Sequence, residues 1–270
     1  HVVTYTVDGV SADFSLSVTA ASLLLDTYSG ADVAFSLRKL SSTYSGSVIR
    51  VRRSNDNSEQ DIGFTNNLLD TASLTSFVGS NDGFVTKWYD QSGNANDSAQ
   101  VTATRQPQIV TGGVLQTNNT KPSMSVTGSD SLIFSTITPV TTFSVAKIDN
   151  LTTVNYIFFG STQGYFYGGT FSGIDGIGIF DGAIKSLTGE DTNTHLGYFN
   201  YNGTNFQIAK DGNSITDFSN GSNFSIFSLG RRINNLTLGG QLQEVVIYPN
   251  TQSSNKSNIE TNINNFYTIF

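Results

Sequence analysis

The 270-residue chain has no cysteine, only four prolines and two histidines, and a single tryptophan. Without cysteine, neither a disulfide framework nor a thiolate metal site can form. With His1 and His195 alone, a histidine-rich metal centre is excluded. Charge is also sparse: 13% of residues are charged and the formal net charge is −7. Such a surface argues against partners that bind by positive charge, so neither nucleic acid nor membrane insertion is expected. No apolar run approaches the ~20 residues of a transmembrane helix, and no internal repeat of fixed period is present. The first residue is His1 rather than Met, with no charged and apolar leader, so a processed product or a fragment of a longer polypeptide is expected.

Serine, threonine, asparagine and glycine are abundant, and aromatics reach 11%. That combination is too apolar for a disordered chain and suits many short strands joined by turns. Residues 1–20 alternate around Asp8-Gly9 and read as a hairpin or the end of a preceding module. Ala31 to Leu40 carries Val33, Phe35, Leu37 and Leu40 with few breakers and predicts a short helix near residues 31–41. Asp70 is placed to cap a helix with Leu74, Phe77 and Val78 on one face. From Pro122 onward the texture is strand and turn, and Lys210-Asp211-Gly212-Asn213 is a hairpin signal. Ile259, Ile263, Phe266 and Tyr267 recur at helical spacing and predict a C-terminal helix. The expected architecture is all-β: a sandwich over residues 21–270.

Four stretches narrow this further: Ser36-Leu37-Arg38-Lys39-Leu40, Tyr44-Ser45-Gly46, Ile49-Arg50-Val51-Arg52-Arg53 and Trp88-Tyr89-Asp90-Gln91-Ser92-Gly93-Asn94. Together they resemble the catalytic domain of α-L-arabinofuranosidase B, a concanavalin-like jelly roll. Lys121-Pro122-Ser123, the apolar run Gly240 to Tyr248 and the closing helix fit the broader laminin-G-like pattern, found also in phage tail and virion-surface proteins. The resemblance implies hydrolysis with retention by two carboxyl groups about 5–5.5 Å apart. It places a glutamate nucleophile near Ile177 to Ala183, where Asp181 is the sole carboxylate. It places the aspartate acid near Gly230 to Asn235, where Arg231-Arg232 stands and no carboxylate occurs. The family's neighbouring cysteines are absent.

Individual residues have competing readings. Asp90 is either a catalytic carboxylate or, as favoured, the cap of its own turn, with Ser92, Gly93 and Asn94 supplying turn chemistry. Trp88, mid-strand beside Tyr89, reads as core before sugar platform. Arg50 and Arg52 share a strand face; ion pairing with the following Asp56, Glu59 and Asp61 is simpler than an anion site. That acidic loop offers oxygen ligands for calcium but lacks the EF-hand spacing, so no cofactor is expected. Asp175 with Asp181, and Glu190-Asp191 with His195, are alternative acid–base groupings that read first as loop residues. Tyr156, Tyr165, Tyr167 and Phe171 lie in an aromatic, glycine-rich cluster. Its outward members would form a platform for a neutral glycan or a subunit interface.

With the implied acid pair missing, the expected function is a non-catalytic module on a virion or cell surface, serving structure, adhesion or glycan recognition. Its partners would be neutral glycans or homo-oligomeric or virion neighbours. The main alternative is a retaining glycoside hydrolase using Asp181 and Glu190. A third is a purely structural fibre or decoration subunit.

Overall fold

The computed structural model describes all residues except 1, 8–9, 16–21, 152–154, 161–162, 168–175, 190 and 231–238. Val2–Val7 and Val10–Ser15 pair antiparallel, as the alternation around Asp8-Gly9 predicts. The rest is a β-sandwich with, among the described residues, three α-helices: α1 (Leu24–Thr27), α2 (Thr71–Val78) and α3 (Lys256–Tyr267).

One sheet centres on Gly240–Tyr248 and Thr141–Ile148, antiparallel neighbours. Outward from Thr141–Ile148 follow Thr194–Tyr201, Phe206–Lys210 and Thr216–Phe218. On the other side, Gly240–Tyr248 pairs with both Met124–Val126 and Val33–Ser36. The second sheet contains Glu59–Ile62, Ile49–Arg53 and Gly83–Trp88. It continues through Ser98–Ala99, Leu132–Ile137, Ile226–Leu229, Asn155–Phe159, Gly164–Tyr167, Ile177–Phe180 and Ile184–Ser186. Gln108–Thr111 pairs with a strand of each sheet and joins the two ladders.

Successive side chains in a strand point to opposite faces, and this sorts the core into two layers. Val33, Phe35, Val245 and Ile247 meet Ile49, Val51, Val85 and Trp88 between the sheets. Ala34, Phe143, Val145, Val246 and Tyr248 face the other way, onto Ile259, Ile263 and Tyr267 of α3. Both faces of the central strands are covered, so Thr141–Ile148 and Gly240–Tyr248 are buried along almost their whole length. The two strands also approach closely at Gly240, where a Cβ would lie 2.0 Å from the Lys147 carbonyl oxygen.

The helix expected near residues 31–41 is absent. Val33–Ser36 is instead a fully buried strand, paired with Glu244–Ile247. The spacing of Val33, Phe35 and Leu37 is two, and that period places all three in the inter-sheet core while Ala34 turns to the α3 layer. Asp70 caps α2 by accepting the Ser73 N–H. At α3, Asn255 occupies the cap position and makes no side-chain capping bond.

Candidate functional site

The recognisable motif builds scaffold. Trp88 is fully buried, its ring 5.6 Å from that of Phe35. The strand ends at Asp90, whose carboxylate accepts the N–H groups of Ala34, Ser92 and Asn96 and the Ser92 hydroxyl. Gln91 accepts from Leu40 N–H and donates to the carbonyls of Ser36 and Arg38. Asn94 donates to the carbonyls of Ala31 and Asp32, and Gly93 takes φ +95°. Asp90, Gln91 and Asn94 thus tie the turn to the segment around Val33–Ser36.

The arginines are occupied locally. Arg50 grips both oxygens of Asp61, and Tyr89 donates to the same carboxylate at 2.6 Å. The Arg50 contact and the Tyr89 hydrogen bond, set against partial burial, hold Asp61 below its ordinary pKa. Arg53 forks onto Asp56, while Arg52 donates to Gln106 and Asn57 and lies over the Phe84 ring. Among the described residues, no group of three or more histidine, aspartate and glutamate side chains converges for a metal.

The aromatic cluster requires a correction. Tyr165 is 1% exposed and packs edge-on against Phe158 and Phe199, so it cannot serve as a surface platform. Burial pushes its hydroxyl pKa up. Phe171 and the side chains of Tyr156 and Tyr167 lie outside the described residues, as do Asp175 and Glu190.

Asp181 ends the strand Ile177–Phe180 and starts the turn to Ile184–Ser186. Its side chain is only 4% exposed. Both oxygens contact Lys185 Nζ, at 2.7 and 2.8 Å, and the backbone N–H groups of Ala183 and Ser222 donate to it. Burial opposes ionisation, but these donors outweigh it and hold Asp181 below the usual carboxylate range. The result is a carboxylate fixed in its charged form.

A second polar constellation sits where the Thr194–Tyr201 strand begins. His195 is buried, with Nδ1 2.6 Å from Asp211 Oδ2 and Nε2 3.0 Å from Asp191 Oδ1. Asp211 also accepts the Leu196 N–H. These residues line an open cleft of about 700 Å³, together with Asn118, Asn119, Lys147 and Asn193. In the sequence Asp191 groups with His195, whereas Asp211 reads only as a turn residue. The missing signal was register: pairing of Thr194–Tyr201 with Phe206–Lys210 carries Asp211 back beside Leu196.

Comparison with known proteins gives the β-sandwich a closer reference. Residues 28–156 match the family model described as Alpha-L-arabinofuranosidase B, catalytic. An arabinofuranosidase complexed with arabinofuranosyl-α-1,2-xylobiose shares the fold with a TM-score of 0.68 at 15% identity. An α-L-arabinofuranosidase soaked with a cyclic sulfate inhibitor gives 0.67 at 15% identity. Each alignment covers 89% of this chain and 64% of the solved one, so the chain spans under two thirds of these structures. No curated protein matches. The chain therefore resembles the α-L-arabinofuranosidase B catalytic domain in sequence over its first half and in fold over most of its length. The expected non-catalytic surface module is overturned by this match to a catalytic domain, and nothing in the comparisons supports a virion, adhesion or laminin-G assignment.

Proposed function

We propose that the chain is a glycoside hydrolase catalytic domain acting on α-L-arabinofuranosyl residues of a neutral glycan. The observation that carries this reading is the match of residues 28–156 to a catalytic-domain model, on a chain whose sandwich superposes on solved arabinofuranosidases. Asp181 is nominated as the nucleophile. A retaining mechanism needs one carboxylate that stays ionised to attack the anomeric carbon, and Lys185 with two backbone donors keeps Asp181 in that form. Glu190 is nominated as the group that protonates the departing glycosidic oxygen and then activates water. A ligand of hydroxyls without charge also agrees with a surface that is poor in charged residues.

The test is release of 4-nitrophenol from 4-nitrophenyl α-L-arabinofuranoside by the purified chain. Turnover is expected, falling by about 10²-fold or more in Asp181→Asn and in Glu190→Gln. Wild-type release no faster than the buffer blank, at any pH between 4 and 8, would end the proposal.

A further inference from the structure

We propose that the cleft beside His195 is a glycan-binding site, holding a neutral, polyhydroxylated segment of the chain on which the domain acts. This rests on the reading of the domain as one that acts on glycans. The cleft's volume of about 700 Å³ falls inside the range of small-ligand sites, about 300–1,000 Å³. Asp181 is not among its lining residues.

The lining points to the ligand class. His195 bonds a carboxylate through each ring nitrogen, and the described wall sets Lys147, Asn118, Asn119 and Asn193 beside Asp191 and Asp211. Donors and acceptors thus stand side by side. Among the described residues Lys147 Nζ has no hydrogen-bond or ion-pair partner, and Asp191 is half exposed. The side-chain amide of Asn119 is likewise uncommitted. A sugar ring, whose hydroxyls both give and take hydrogen bonds, meets this mixture; a purely apolar ligand would leave these groups unpaired.

Two further features shape the cleft for occupancy. Asn119, Asp211 and Thr268, all in its wall, have left-handed backbone, with φ of 48°, 53° and 55°. At Thr268 this backbone closes α3 as its C-cap, with the Thr268 N–H donating to the Asn264 carbonyl. Phe270 lies against Gly212, next to Asp211, and is 53% exposed, so an aromatic face stands beside the polar groups. Sugar C–H faces stack on such rings while the hydroxyls reach the polar wall.

The experiment titrates the purified full chain with arabinofuranosyl-α-1,2-xylobiose and with xylobiose, read by calorimetry and by amide shifts. Saturable binding of at least one of them is expected, with shifts at Asn119, Asn193 and Asp211. Lys147→Ala weakens it by about tenfold or more at an unchanged melting midpoint, and Asp191→Asn weakens it as much. Should Asp191→Asn unfold, Lys147→Ala, which breaks no ion pair, carries the test. Absence of saturable binding, or binding indifferent to both variants, overturns the site. Aryl-arabinofuranoside turnover is measured alongside: turnover without binding sensitive to these variants removes the cleft and keeps the hydrolase, whereas sensitive binding without turnover keeps the cleft and removes the hydrolase.

Discussion

At the scale of single residues, Asp90 shows how far local chemistry reaches. Its place at an abrupt stop of apolar residues, before Ser92-Gly93-Asn94, is enough to read it as a turn cap. The structure adds that the Ala34 N–H, 56 residues away, uses the same carboxylate. Asp90→Ala would strand several buried donors, and we expect it to lower stability by about 2–4 kcal/mol in urea denaturation. Tyr165 is the opposite case. Gly164–Tyr167 places aromatic residues at three consecutive positions, so composition gives no contrast between its faces, and only the packing against Phe158 and Phe199 identifies the buried one. Tyr165→Ala should cost about 3–5 kcal/mol by the same measurement. A loss of glycan binding in a variant that remained fully stable would contradict the buried placement.

At the scale of elements, α3 was legible because Ile259, Ile263 and Tyr267 repeat with the helical period and all three are buried. What anchors the helix was not legible. Arg38 Nε and Nη2 fork onto Glu244 at 2.7 and 2.9 Å, and the Tyr267 hydroxyl lies 3.2 Å from the same carboxylate. Arg38 also donates to Asn262 of the helix. Burial works against the Arg38 charge, yet Glu244 raises its pKa above the ordinary value. Removing one partner leaves the other charge buried, so Arg38→Ala should cost about 3–5 kcal/mol, while Arg38→Met with Glu244→Leu should recover a large part of that loss. A double-mutant cycle by chemical denaturation measures this. The pair spans 206 residues, beyond any local pattern.

For the whole molecule, stability against pH follows from carboxylates spread over both sheets. Asp61, Asp70, Asp181 and Asp191 all have pKa values below the usual 3.8. For Asp61 the Arg50 contact dominates. For Asp70 it is the Ser73 N–H. At Asp181 and Asp191 burial opposes the shift and hydrogen-bond donors overcome it. A carboxylate depressed in the folded state binds fewer protons there than in the unfolded chain. Its contribution is complete above the unfolded pKa and disappears as pH falls through the folded one. Urea midpoints should therefore drop steeply below about pH 4, and Asp61→Asn should flatten that drop while lowering the plateau above it. A midpoint that rose on acidification would contradict these environments.

The sequence by itself determined the sandwich, the motif turn, the α2 cap and the closing helix, because each is written in neighbours a few residues apart: a period of two or near four, a capping aspartate, a glycine in a turn. Tertiary structure alone decided which face of an all-apolar strand is inside, that Val33–Ser36 is a strand and not a helix, and that Asp211 meets His195. Those outcomes depend on strand register and on what covers each face, and both arise from contacts between segments that are remote along the chain.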